Sequence, residues 1–287
     1  MCIICRGEYK NRETLYCGLC PDLIEIPVIP GLKKLYCGGC PNLTKIPVIP
    51  GLKELNCHGC PKLTEIPLIP GLKFLDCYEC PKLTEISVIP DLELLDCWGC
   101  VDLPKIPVIP GLKKLHCASC PKLTEIPVIP GLEKLYCDHC PIKEIPFIPN
   151  LQSLICGLCP NLTEIPNIPG LKKLICSNCP KLTTIFDIPS LRDLNCARCI
   201  ILTKIPNISK LKRLYCSRCS WIEENDEFKE NISCLMKIQK YVKKYHKLRI
   251  CKRWVESDDF RQWYYHPEGP GGIKAVLRLK FKAKNDY

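Results

Sequence analysis

A twenty-residue repeat constrains this chain more than any other feature. The segment LKKLYCGGCPNLTKIPVIPG from Leu32 returns as LKELNCHGCPKLTEIPLIPG from Leu52 and as LKKLHCASCPKLTEIPVIPG from Leu112. Copies begin at Arg12, Leu32, Leu52, Leu72, Leu92, Leu112, Leu132, Leu151, Leu171, Leu191 and Leu211. The seventh is one residue short, and the last fades after Cys219 into SWIEENDEF. A unit this short cannot bury an apolar face alone and must stack on its neighbours, which predicts a repeat solenoid.

The unit from Leu32 shows how it folds. Leu32, Leu35, Cys37, Cys40, Leu43, Ile46 and Ile49 are the apolar positions that point inward. Leu35, Tyr36 and Cys37 form a short strand whose side chains alternate between core and surface. Cys40 ends the strand where its side chain can sit near buried backbone amides, and Pro41 breaks the ladder. The segment Ile46-Pro47-Val48-Ile49-Pro50-Gly51 cannot be helical, because each proline bars the α region to the residue before it. The side opposite the strands should therefore be extended and polyproline-like.

With these residues the chain resembles the leucine-rich repeats, over roughly residues 12 to 219. The Cys-x-x-Leu-Thr of Cys40 to Thr44 is similar to the cysteine-containing repeats of F-box substrate receptors. The twenty-residue length and the Ile-Pro-x-Ile-Pro segment are similar to the short repeats of bacterial effectors such as YopM and the IpaH ligases. Cysteine-rich repeats followed by a lysine-rich tail also resemble repeat proteins of giant DNA viruses. The resemblance implies a horseshoe with a parallel β-sheet on its concave face. It says little of function, because one fold serves many partners.

Composition adds one puzzle, the 26 cysteines among 287 residues. Apolar residues make up 46%, enough for a core, so a wholly disordered chain is excluded. The opening MCIICRGEYKNRETLYCG has no apolar stretch of signal-peptide length, and no run approaches a membrane-spanning helix. A soluble cytoplasmic protein with reduced thiols is expected, in a host's cytoplasm if the viral likeness holds. Eleven C-x-x-C pairs, from Cys17/Cys20 to Cys216/Cys219, would ordinarily signal zinc. They recur at the repeat period, however, where the coil needs small buried residues, and free cysteine packs as a small hydrophobe. Stacked cysteines about 4.8 Å apart are also too widely spaced for easy disulfides.

Cys2 and Cys5 stand outside the period. With Cys17 and Cys20 they make C-x-x-C, eleven residues, C-x-x-C, the one set with the spacing of a zinc site. The preferred reading is that MCIIC is a strand capping the open end of the stack, since Cys17 and Cys20 already have repeat roles. No metal and no cofactor are expected.

The outward positions of the strands vary on an invariant frame, which marks a recognition surface. Beside the leading leucines stand Lys34, Glu54, Phe74, Leu94 and Lys114; the next column holds Tyr36, Asn56, Asp76, Asp96, His116 and Tyr136; between the cysteines lie His58, Tyr78 and Trp98. The candidate partner-binding set is Tyr36, His58, Phe74, Asp76, Tyr78, Asp96, Trp98, His116 and Tyr136, because exposed aromatics ringed by charge have the character of interface hot spots. The acids and histidines sit on an open sheet with no pocket expected, and no phosphate loop, dinucleotide fingerprint or hydrolase motif occurs, so neither an enzyme nor a small-molecule substrate is expected.

After Cys219 the period changes. Ile232, Leu235, Met236, Ile238, Val242 and Tyr245 recur at helical spacing, and every charged residue from Lys237 to Arg253 is basic. The tail reads as a basic amphipathic cap, with Leu277 to Lys282 alternating like a strand and Ile238-Gln239-x-x-x-Lys243 resembling the start of an IQ motif. The domain expectation is an N-terminal cap over residues 1–11, a solenoid over 12–219 and a basic α+β cap over 220–287. The leading functional expectation is a protein-interaction module that binds a protein on its concave face. The alternatives are a substrate receptor linked to ubiquitin ligation and nucleic-acid binding by the tail, which the net charge of +11 only weakly favours.

Overall fold

The structure, a computed structural model, describes residues 2–202 and 211–219. The basic helix, the IQ-like segment and the strand expected after Cys219 lie outside the described residues. Eleven three-residue strands, from Thr14–Tyr16 at one edge to Arg213–Tyr215 at the other, form one parallel sheet in sequence order. Each strand pairs with the equivalent residues one repeat on, as in Leu75 with Leu95 and Asp76 with Asp96. The missing residue of the seventh repeat leaves this register intact, with Leu135 opposite Leu154. The deletion falls after the strand and is absorbed on the far side, at Pro141-Ile142.

Every inward position of the unit is buried as the spacing predicts, from Leu32, Leu35 and Cys37 at 0% exposure to Ile46 at 5%. These columns make one continuous core from Ile4 to Cys219, with no buried charged or polar side chain among the described residues. Such a core derives its stability from apolar burial shared between neighbouring coils, about 1.5–3 kcal/mol for each fully covered leucine or isoleucine.

The cysteine columns do more than fill space. From Cys40 onward, the second thiol of each repeat donates to the carbonyl of the first cysteine in the preceding repeat: Cys40 Sγ to Cys17 O at 3.2 Å, Cys100 to Cys77 at 3.2 Å, Cys219 to Cys196 at 2.9 Å. These carbonyls stand where the strand ends and the sheet ladder no longer serves them. A weak thiol donor meets a buried acceptor, which among the described residues a backbone N–H shares only at Cys97 and Cys196; a buried carbonyl left bare costs about 1–3 kcal/mol.

The side opposite the sheet is extended, yet it carries short ladders that the polyproline expectation did not include. Glu65–Ile66 pairs with Glu85–Ile86, and Glu164–Ile165 with Thr184–Ile185. Both occur where the proline after the isoleucine is replaced. Ser87 and Phe186 stand at that position and their N–H groups bond to Ile66 O at 3.0 Å and Ile165 O at 3.1 Å. Proline has no N–H to give, so the other described repeats lack this rung.

The residue before each second cysteine has a positive φ in all eleven repeats: Leu19, Gly39, Gly59, Glu79, Gly99, Ser119, His139, Leu158, Asn178, Arg198 and Arg218. Its N–H then reaches the next repeat, as in Glu79 N to Trp98 O at 2.7 Å. The repeat sequence gives no sign of this requirement, because only three of the eleven are glycine.

The N-terminal segment departs from expectation. Residues 3–11 are turns and not a strand, held by Arg6 N to Cys2 O at 3.1 Å and Glu8 N to Ile3 O at 3.0 Å. Ile4 drops into the end of the core at 7% exposure. An apolar plug that closes its own hydrogen bonds covers the coil without extending its sheet.

Two predictions follow from this packing. Burial pushes the thiol pKa of Cys60 from 9.0 up to about 11 and that of Cys80 up to about 12. A pKa raised by folding contributes fully below the unfolded value and is lost as pH climbs through the folded one. Under reducing conditions, stability should therefore fall as pH rises from about 9 to 11, by about 1.4 kcal/mol per pH unit per ionising thiol. Cys80→Ala should reduce that slope by one thiol's share in urea titrations. Gly59, at φ 60°, has no neighbouring atom nearer than 3.7 Å to an added Cβ, so backbone conformation alone opposes substitution. Gly59→Val should lower the unfolding free energy by about 1–2 kcal/mol, and Gly59→Asn should be nearly neutral.

Candidate functional site

The sequence-derived residues fall on one face of the long sheet and on the turns that follow its strands. Phe74 starts its strand; Tyr36, Asp76, Asp96, His116 and Tyr136 end theirs; His58, Tyr78 and Trp98 lie between the two cysteines of their repeats. Phe74 is 45% exposed and the others are half-buried, each shielded by the equivalent residue of a neighbouring repeat.

The turn residues form a ring ladder. His58 stacks on Tyr78 at 4.6 Å and 6°, and Tyr78 meets Trp98 at 6.3 Å with the planes tilted by 57°. The ladder begins over Gly38, where a Cβ would come within 2.3 Å of the His58 ring. A second group of rings lies along the strand ends, His116 edge-on to Tyr136 at 5.7 Å with Lys114 Nζ 5.6 Å from the Tyr136 ring centre. Tyr36 stacks on Tyr16 at 4.8 Å, toward the N-terminal edge and away from the central cluster. The structure thus brings His58, Phe74, Asp76, Tyr78, Asp96, Trp98 and His116 into one area and places Tyr36 and Tyr136 on its flanks.

Asp76 and Asp96 hold the aromatic turns in place. Each accepts the N–H two residues on, Tyr78 N to Asp76 Oδ1 at 3.5 Å and Trp98 N to Asp96 Oδ1 at 3.2 Å, the turn that short acidic and amide side chains favour. Asn56 and Asn195 serve His58 and Ala197 in the same way. The second carboxylate oxygens link strands: Asn56 Nδ2 donates to Asp76 at 2.8 Å, and His116 Nδ1 lies 3.0 Å from Asp96. Burial, opposed by the Tyr78 N–H and reinforced by the adjoining Asp96 carboxylate, raises the pKa of Asp76.

Beside these residues lies a shallow depression of about 310 Å³, lined by Glu54, Leu55, Asn56, Phe74, Leu75, Asp76 and Leu94. Sequence reasoning expected no pocket. It forms because Asn56 and Asp76 are short where Tyr36 and Tyr136 are long, while Phe74 and Leu94 wall it. Glu54, left outside the candidate set, anchors the near side: Tyr36 Oη donates to it and Lys34 Nζ sits 2.9 Å away. Those two partners, the tyrosine first, hold the Glu54 carboxyl below its ordinary range, and the same hydrogen bond pushes Tyr36 up to about 12. The signal for Glu54 was available in its register, one strand from Lys34.

At the N-terminal end, the four cysteines with the spacing of a zinc site are only partly brought together. Cys2 Sγ lies 3.6 Å from Cys5 Sγ, and Cys5 Sγ 3.7 Å from Cys20 Sγ, all three within 4.8 Å of one another. Cys17 stays in the core at 2% exposure and is not part of the cluster.

No protein-family model and no curated protein matches the chain. Among solved structures, it is similar to a leucine-rich repeat protein from Bacteroides ovatus at 17% identity and TM-score 0.53, over 72% of this chain and 68% of that one. It is similar to the leucine-rich effector YopM from Yersinia pestis at 22% identity and TM-score 0.57, over 76% and 62%. The functional domain of InlJ from Listeria monocytogenes, described as including a cysteine ladder, matches at 24% identity and TM-score 0.54, over 74% and 55%. The alignments thus span less than two thirds of the latter two proteins.

A test of the local chemistry is Asp76→Asn, which keeps an acceptor for the Tyr78 N–H. A carboxyl whose pKa folding has raised favours the folded state below its unfolded pKa and loses that favour as pH rises through the folded value. Relative to the parent, the variant should therefore gain stability between about pH 3 and pH 7, by roughly the 0.5 kcal/mol typical of a cross-strand charge pair. Paired urea titrations at the two pH values would measure it. Taken together, eleven in-register strands, the leucine and cysteine columns and these structural neighbours give the chain the fold of a leucine-rich-repeat solenoid.

Proposed function

We propose that the chain is a non-enzymatic interaction module that binds a protein partner on the outer, concave face of its sheet. The observation that carries this reading is the run of rings from His58 through Tyr78 to Trp98, set beside exposed Phe74 and the open depression. Its members are held by their own repeats, so little conformational freedom remains to be lost on binding, and aromatic side chains fixed in this way make efficient contact area.

Elsewhere the same face is charged. Lys34 pairs with Glu54 at 2.9 Å, and Arg213 with Asp193 at 2.8 Å. Exposed ion pairs of this kind add little stability and form a solvated rim, against which an aromatic centre stands out as the desolvated core of an interface. Asp76 and Asp96 beside the rings favour a partner that offers basic or hydrogen-bond-donating groups. An open depression of this kind does not exclude water, and Asp76, Asp96 and His116 of the same face are engaged in turns and cross-strand bonds, which supports binding over catalysis. The buried thiols, engaged as donors to backbone carbonyls, support residence in a reducing compartment, where thiols persist.

Affinity capture from nuclease-treated lysate, comparing the intact chain with the Tyr78→Ala/Trp98→Ala variant, tests the reading. Removing two central aromatics should lower capture of the partner at least about 30-fold while circular dichroism stays unchanged, as loss of hot-spot residues worth about 2 kcal/mol or more would. Identical capture profiles for the two proteins would relocate the interface.

A further inference from the structure

We propose that Cys2, Cys5 and Cys20 form a zinc site at the N-terminal end of the solenoid, three thiolates with a fourth position open to solvent. The repeat explains every later cysteine pair and leaves these three unexplained. From Cys40 onward, each second thiol donates to a carbonyl of the repeat before it. Cys20 belongs to the first repeat and has no such carbonyl to meet; its sulfur turns instead to Cys5 at 3.7 Å. Cys2 and Cys5 lie outside the period altogether, and they are half-buried where the repeat thiols are buried.

The geometry fits a metal better than either packing or a disulfide. A tetrahedral zinc with Zn–S bonds of about 2.3 Å has sulfur–sulfur edges of about 3.8 Å. The observed 3.6 and 3.7 Å edges lie near that value, and the remaining pair is within 4.8 Å. A disulfide needs about 2.05 Å. Soft sulfur donors without carboxylate or imidazole select zinc over magnesium, calcium or manganese.

Position in the fold supplies the purpose. Among the described residues, no further coil lies on the outer side of the first one, and residues 3–11 are held there by turn bonds and by Ile4. A metal joining Cys2 and Cys5 to Cys20 would fasten this plug to the first repeat, so that binding energy becomes folding energy at a terminal coil. Cys17 is not required, because its thiol already belongs to the core column.

The test uses the full chain, loaded with zinc under reducing conditions and passed through gel filtration. Mass spectrometry of metals should find about one zinc per chain, and Cys2→Ser/Cys5→Ser should retain less than about a tenth of it with an unchanged circular dichroism spectrum. Cys234→Ser/Cys251→Ser, which alters the two cysteines after the repeats, should retain all of it. Cobalt substitution should give a thiolate charge-transfer band with the intensity of three sulfur ligands. Absence of retained metal, zinc unaffected by the Cys2/Cys5 substitutions, or a cobalt band of two or four thiolates would each overturn the proposal.

Discussion

Each coil of this protein completes its hydrogen bonds on its neighbours. The strand-end cysteine N–H reaches the next repeat, as in Cys77 N to Asp96 O at 2.8 Å, and two residues later Glu79 N reaches Trp98 O. The second thiol runs the opposite way, from Cys80 to Cys57 O at 3.2 Å. A buried backbone group left without a partner is costly, so these crossings fix both the register and the spacing of the coils. The left-handed residue before each second cysteine turns its N–H outward to the adjoining coil, which is why that conformation recurs even where leucine, glutamate or arginine must adopt it.

The same crossings create the surface. With the backbone locked at one strand per repeat, side chains at equivalent positions must stack, and their identity alone decides whether the stack is apolar, aromatic or charged. Of the small residues between the cysteines, Gly38 is covered by the His58 ring and Ala118 is fully buried; at that position His58 stacks on Tyr78, and Tyr78 meets Trp98 at a tilt. Asp76 and Asp96 act within the scaffold and at the face together, since they fasten the turns that carry Tyr78 and Trp98 and also set the local charge. The face is thereby coupled to the stability of its own repeats.

The first coil obeys a different rule from the interior ones. An interior coil has cover on both sides, whereas the first has it on one, and it obtains the rest from Ile4 and the turns before it. Cysteine chemistry changes at the same boundary. Within the stack the thiols are donors to carbonyls, and at the first coil, where the carbonyl is missing, the sulfur atoms converge on each other. One residue type does two jobs because the environment around it, and not the residue, determines whether a backbone acceptor is in reach.

The amino-acid sequence by itself determined the solenoid, its period, its inward columns and the absence of helix opposite the sheet, because spacing of Leu, Ile, Cys and Pro acts through short-range sterics and burial. Most of the candidate face was legible for the same reason: a fixed period turns sequence neighbours twenty apart into spatial neighbours. The tertiary structure alone decided the rest. It set the left-handed turn, which no residue type marks; the extra rungs at Ser87 and Phe186; the depression between Phe74 and Leu94; the turn, in place of a strand, over residues 3–11; and the exclusion of Cys17 from the sulfur cluster. Each depends on which backbone groups and side chains of adjoining coils meet in space, and local propensity carries no information about that meeting.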